Sequence, residues 1–173
     1  MKNLIVFVIA ILSIQYSFSQ SPAEVTRDAQ GNKILKGFIT KKEISTDTAF
    51  AWYAQTQKGY TPNADVTKQY AAYKDSVNII VFGGTWCGDT QNLLPKFFAT
   101  TDAAGFPDNR ITLIGVDRNK KTFYNLTDAF AVTNVPTFIV MKNGKEIGRV
   151  VEYGKIGSPE KEVGEIIANS TTK

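Results

Sequence analysis

The sequence predicts an α/β fold, a three-layer sandwich in which a mixed β-sheet carries helices on both faces, with an N-terminal helical extension. Two observations favour this fold. Short apolar runs alternate with helical patterns along the C-terminal half of the 173-residue chain. The last two apolar runs are separated by a turn with Asn143 followed by Gly144, which is typical of an antiparallel hairpin. The composition, 43% hydrophobic and 21% charged, is ordinary for a globular protein.

The first 19 residues have the pattern of a secretory signal peptide. Lys2 supplies a positive charge, and the apolar run 4–14 is too short to span a membrane, which takes about 20 residues. Ser17 and Ser19 are small residues at the −3 and −1 positions of a cleavage site before Gln20. We therefore expect cleavage there, export to the periplasm or the exterior, and no stable membrane insertion afterwards.

Residues 20–75 are predicted to form the N-terminal extension, an arm plus two helices that pack on the core. Its elements share clear turn or capping residues at their ends. In chain order they are a hairpin or irregular arm over 23–39, a helix from its cap at Thr46 or Asp47 to about Lys58, and a helix from its cap at Asn63 to about Asp75.

Residues 76–173 are predicted to form the main domain, with the order β-α-β-α-β-β-α. The strands are expected at 77–82, 111–116, 138–141 and 146–152, and the helices at 89–104, 126–131 and 158–168. The last helix has Ser158 at the capping position and Pro159 at its first turn, where proline is well tolerated. Such an order gives a parallel strand pair, an antiparallel hairpin and helices on both faces.

Several classes of function are excluded by the composition. The chain has no histidine and one cysteine, so Ser-His-Asp triads and Cys-His proteases are ruled out. The same absence removes the usual ligands of zinc and haem, and we expect neither a metal nor a cofactor. The net charge is +4 with scattered lysines, whereas a nucleic-acid-binding protein is expected to cluster them.

The single cysteine lies in the stretch 83–90, GGTWCGDT, between a predicted strand and a predicted helix. The first N–H groups of a helix are unpaired, and the helix dipole is positive at this end. Both effects favour the thiolate of Cys87, which is the reactive form of a thiol. The nearby Asp89 carboxylate acts in the opposite direction, and the sequence does not decide which effect is larger. Pro95 follows within the helix, where proline is expected to cause a kink. The pattern indicates a reactive thiol rather than an inert core cysteine.

Residues 77–168 resemble the thioredoxin family, on the strength of this motif and of the later Val-Pro-Thr before an apolar strand. The resemblance implies that Cys87 is a catalytic nucleophile. It implies supporting roles at the active site for the residues around it: Trp86, Gly88, Asp89 and Thr90. It also implies that Val135 and Pro136 bind the substrate, with a cis peptide bond before Pro136 facing the thiol.

Three positions depart from the family pattern. Thr90 stands where the family has its second cysteine, so a mixed disulfide at Cys87 cannot be resolved from within. Its hydroxyl is expected to donate a hydrogen bond to the sulfur. Val81 stands where the family has a buried aspartate, and Leu113 aligns with its lysine partner. These changes indicate a site that was not built for dithiol turnover.

The leading hypothesis is an exported, monothiol protein that acts in thiol–disulfide exchange on protein or small-molecule thiols and disulfides. Two alternatives remain open. The first is a redox-inactive module that holds extended segments in the groove at Pro136. The second is a redox sensor in which Cys87 forms a sulfenic acid that an external thiol caps. The reactivity of Cys87 separates the binding module from the other two.

Overall fold

The structure, a computed structural model, describes residues 23–170, so the predicted signal peptide lies outside it. The strands are β1 (Glu24–Arg27), β2 (Lys33–Ile39), β3 (Asn78–Gly83), β4 (Ile111–Gly115), β5 (Thr137–Lys142) and β6 (Lys145–Val151). The α-helices are α1 (Lys41–Thr46), α2 (Trp52–Lys58), α3 (Ala64–Tyr73), α4 (Gly88–Ala103), α5 (Leu126–Ala129) and α6 (Pro159–Asn169).

The strands form one mixed sheet in the order β1-β2-β4-β3-β5-β6. Only β3 and β4 run parallel, and the other neighbours are antiparallel. The hairpin between β5 and β6 turns at Asn143 and Gly144, both with positive φ, as the sequence predicts. The predicted mixed sheet with helices on both faces is confirmed.

The sheet buries a core on each face because successive side chains of a strand point to opposite sides. In β3, Ile79 and Val81 belong to the larger cluster, which is covered by α1 to α4 and α6. Phe82 belongs to the smaller cluster, where α5 and the residues after it contribute Leu126 and Phe130. The thiol motif follows directly from this strand, whose last three residues are buried.

The segment before β3 differs in part from the prediction. Asn63 caps α3 by accepting the N–H groups of Asp65 and Val66, as expected. Asp47, in contrast, caps a short 3₁₀-helix, and α2 begins only at Trp52. Helix α1 was not predicted; it begins with a capping box between Thr40 and Glu43.

The N-terminal hairpin, β1 and β2 with the turn between them, forms part of the sheet. Strand β2 pairs with β4, so that Ile39 lies opposite Leu113. The segment thus adds two strands next to the parallel pair. At the other end of the chain, Ser158 holds the capping position of α6, but its side chain makes no capping hydrogen bond. Pro159 does occupy the first turn, as predicted.

Candidate active site

Cys87 occupies the N-cap position of α4 with extended backbone angles, φ −89° and ψ 124°. Its N–H donates to the carbonyl of Gly84 at 2.9 Å, and its carbonyl accepts the N–H of Gln91 at 3.0 Å. The side chain is half-buried and makes no capping bond to the helix. The thiol therefore lies at the positive end of a 16-residue helix and remains partly open to solvent.

The sulfur faces the turn that leads into β5. The Cys87 thiol donates to the carbonyl of Val135 at 3.3 Å, and the Val135–Pro136 peptide bond is cis. Both residues of the turn are buried, and the Pro136 carbonyl accepts the N–H of Glu152 at 2.7 Å. The predicted proximity of Cys87 to this turn is present. The roles assigned to Cys87, Val135 and Pro136 stay predictions.

Thr90 has a different partner from the one expected. Its side chain is 1% exposed, and its Oγ1 accepts the N–H of Gly84 at 3.2 Å. Within residues 23–170 it makes no hydrogen bond to Cys87, so the expected bond to the sulfur was wrong. The physical reason is that the buried Gly84 N–H needs an acceptor, and the hydroxyl supplies it. Thr90 thus ties the loop to the helix.

Trp86 is half-buried and held at two places. Its indole N–H donates to the carbonyl of Val116 at 3.0 Å, and the guanidinium of Arg118 lies 5.3 Å from the ring centroid. A Cβ atom at Gly84 would lie 2.7 Å from the ring, so glycine is needed for this close approach. The ring forms a fixed side of the thiol site.

The two other predicted supporting residues lie in the first turn of α4. Gly88 is exposed, and a Cβ there would meet nothing within 4 Å. Asp89 is half-buried at the helix start, where the helix dipole favours its negative charge. Both residues therefore lie directly after Cys87, at the start of the helix.

Thr85 and Gln91 complete the site and were missed by the sequence analysis. The Thr85 hydroxyl donates to the carbonyl of Lys33 at 3.0 Å and accepts the N–H of Leu35 at 3.3 Å. The Gln91 side-chain amide donates to the Thr85 carbonyl at 2.8 Å. The sequence offered one signal for the role of Thr85, its position beside Trp86. Its hydrogen-bond partners lie about 50 residues earlier, so no local pattern indicates them.

The two apolar departures from the family pattern lie opposite each other. Val81 on β3 and Leu113 on β4 are register partners, and they are 0% and 3% exposed. Both belong to the larger core cluster. The two positions that carry an ion pair in the family pattern are thus buried and apolar in this chain.

Residues 23–170 contain no group of three or more metal-ligating side chains placed to hold an ion. In the same range, no helix is both long enough and apolar enough to cross a membrane.

Comparison with known proteins identifies the family. The family model described as Thioredoxin matches residues 61–161, more than half of the chain. The chain belongs to the thioredoxin family. It is 33% identical over 86 residues to a thioredoxin of Echinococcus granulosus, covering 50% of this chain and 75% of that protein. It is 29% identical to a thioredoxin of Staphylococcus saprophyticus, covering 54% of this chain and 82% of that one.

The fold also matches solved structures. A protein of unknown function from Pseudomonas aeruginosa superposes with a TM-score of 0.54 at 16% identity, covering 79% of this chain and 93% of that one. This likeness concerns the fold alone. Membership of the thioredoxin family supports a general thiol–disulfide redox function, in which the family acts on protein thiols and disulfides.

Proposed function

We propose that this thioredoxin-family chain is an exported protein that carries out thiol–disulfide exchange by a monothiol mechanism, with Cys87 as its only nucleophile. The observation that carries the proposal is the pairing of a half-buried Cys87 at a helix N-terminus with a buried Thr90 at the second position of the motif. The chain has no other cysteine to replace it.

The chemistry takes two displacement steps. The Cys87 thiolate attacks one sulfur of a disulfide, the S–S bond breaks, and the other sulfur leaves as a thiolate. An external thiolate then attacks the mixed disulfide on the substrate sulfur and releases the Cys87 thiolate. Electrons and protons balance without any added oxidant. When the second thiolate belongs to the same substrate, the net reaction is disulfide isomerisation. When the substrate is a glutathionylated protein and the external thiol is glutathione, the protein thiol is freed, glutathione disulfide forms, and the net reaction is deglutathionylation.

The surroundings of the sulfur support this scheme. The thiol donates to the Val135 carbonyl, a bond that exists only while the proton is on the sulfur, so the bond must open when Cys87 reacts. The turn at Pro136 is then positioned to hold the backbone of an extended substrate segment beside the sulfur. Trp86, Gly88 and Asp89 flank Cys87 along the chain.

The apolar pair of Val81 and Leu113 also favours the monothiol scheme. A second cysteine that resolves a mixed disulfide must lose its proton inside the site, and a buried carboxylate assists that transfer in the family. These two positions supply no titratable group. A mechanism in which an external thiol resolves the intermediate does not need one.

Export is proposed from the first 19 residues alone. Expression in a secreting host followed by mass spectrometry tests it. We expect a mature chain that begins at Gln20 and is found outside the cytoplasm. An unprocessed chain that begins at Met1 would overturn this part of the proposal.

Activity assays test the mechanism. With reduced glutathione as the external thiol, the purified chain should release the glutathione of a glutathionylated peptide as glutathione disulfide, and it should show negligible reduction of insulin disulfides with a thioredoxin reductase as electron source. Cys87→Ser is the matched control, since it changes the side-chain volume little and removes the nucleophile. It should abolish glutathione release while the fold is retained. Dithiol-type insulin reduction by the natural chain, or equal glutathione release by Cys87→Ser, would contradict the proposal. An unreactive Cys87 would favour the binding module.

A further inference from the structure

The turn of the N-terminal hairpin presents a fixed carboxylate. The Asp28 Oδ1 accepts the N–H groups of Gln30 at 2.9 Å and of Asn32 at 2.8 Å. The Asp28 N–H donates in turn to the Asn32 carbonyl at 3.1 Å. Aspartate commonly fixes a turn in this way. The second carboxylate oxygen is thereby held in one direction.

That second oxygen binds Arg118, 90 residues along the chain. The Arg118 Nε donates to the Asp28 Oδ2 at 3.1 Å, and a terminal nitrogen of the guanidinium makes a closer ion pair with the same oxygen. The Asp28 side chain is 3% exposed. The Arg118 guanidinium holds the pKa of Asp28 well below its ordinary value, so the pair is ionised at neutral pH.

Arg118 connects Asp28 to the thiol site. Its guanidinium lies 5.3 Å from the centroid of the Trp86 ring, a distance at which a cation attracts an aromatic face. The indole N–H is held by the carbonyl of Val116, two residues before Arg118. The ring is therefore fixed at its edge and at its face.

The hairpin also contacts the loop next to Trp86 directly. The Thr85 hydroxyl bonds the backbone of β2 at Lys33 and Leu35, and Thr85 is 5% exposed. Two independent contacts thus run from the hairpin to the two residues that precede Cys87.

We infer that the N-terminal hairpin positions the Trp86 side of the thiol site, with Asp28 and Arg118 as positioning residues that act through the indole. The inference rests on the proposed function in that Cys87 is the reacting group. Trp86 immediately precedes Cys87, and both side chains pack against the smaller core cluster, so we expect the orientation of the ring to affect how closely a bulky disulfide approaches the sulfur. A small alkylating reagent does not depend on that orientation.

Fluorescence of Trp86 tests the inference without any thiol chemistry. The chain has two tryptophans, so Trp52→Phe leaves Trp86 as the only indole. In this background we compare Asp28→Asn and Arg118→Lys, the second at a residue whose side chain is 46% exposed and whose replacement keeps the charge. Asp47→Asn is the matched control, since it removes the ion pair that Asp47 makes with Lys33 of the same hairpin and leaves Asp28 and Arg118 in place.

We expect acrylamide to quench Trp86 about twice as strongly in both variants as in the parent, because loss of a cation–π contact lowers the population of the stacked ring by about this factor. Quenching in the control should equal quenching in the parent. We expect the rate of mixed-disulfide formation with a peptide disulfide to fall about twofold, and the rate with iodoacetamide to stay unchanged. Unchanged quenching in both variants would overturn the inference, as would stronger quenching with an unchanged peptide rate. If the parent forms no mixed disulfide, the proposed function fails, and the quenching result alone decides whether the hairpin positions the ring.

Discussion

Replacement of Thr90 by cysteine tests how the motif is built. Thr90 is one turn from Cys87, and residues three apart on a helix are neighbours, within reach of a disulfide. The change removes the oxygen that accepts the Gly84 N–H, and sulfur is a weak acceptor. It also removes a buried methyl group, which lies so close to Gly83 that a Cβ atom added there would be 3.1 Å from it.

The expected loss of stability follows from these two contacts. A buried N–H left with a weak acceptor costs about 1 kcal/mol, and the loss of a buried methyl group costs about 1 kcal/mol. The reduced Thr90→Cys variant should therefore be less stable by about 2 kcal/mol. For a chain of this size, that lowers the melting temperature by roughly 4–8 °C. Two matched variants separate the contributions. Thr90→Ser should lose only the methyl part and Thr90→Val only the hydroxyl part, about 1 kcal/mol each.

Activity is then measured as insulin reduction with a thioredoxin reductase, after urea unfolding has given the stabilities. Thr90→Cys should form an internal disulfide that makes it two hydrogens lighter, and dithiol activity should appear. The rate should stay below that of ordinary thioredoxins because Val81 provides no carboxylate for proton transfer. A variant that forms mixed disulfides at Cys87 but never closes the internal one would refute the reasoning.

Three further predictions concern the frame of the site. The pKa of Asp28 is lowered by its bond to Arg118, so the ion pair stabilises the fold at neutral pH, and this stabilisation is lost as the pH falls below about 4. In urea unfolding from pH 7 to 2, the free energy of unfolding should therefore decline less for Asp28→Asn than for the natural chain. Gly115→Ala should destabilise severely, by about 3 kcal/mol or more in urea unfolding, because the new Cβ would lie 2.3 Å from the Leu35 carbonyl oxygen; a loss below 1 kcal/mol would count against the pairing of β2 with β4. Val81→Asp should lower stability by about 3 kcal/mol or more without restoring dithiol activity in the absence of a second cysteine; unchanged stability would show that the position is not dry.

Local signals predicted much of the fold. The Asn63 cap and the turn at Asn143 and Gly144 each depend on residues close in sequence, and both are present. The capping box of Thr40 and Glu43 is an equally local signal, and it was available to predict α1. Short-range hydrogen bonding is readable from the sequence because the partners of these caps are two or three residues apart.

The missed parts of the site depend on distant contacts. Thr85 bonds a strand about 50 residues earlier, and Arg118 binds Asp28 at a separation of 90 residues. Neither pairing leaves a pattern in a single sequence. The partner of Thr90 was missed for a related reason, since the demand of the buried Gly84 N–H appears only once the loop is folded.

The most direct test of the monothiol account is the intact mass of the mature chain after incubation with glutathione disulfide. The account predicts one glutathione adduct that maps to Cys87. It also predicts that this adduct forms faster than on a cysteine in an unstructured peptide and is released by an added thiol. Failure to form the adduct, or formation no faster than on the unstructured peptide, would contradict the account.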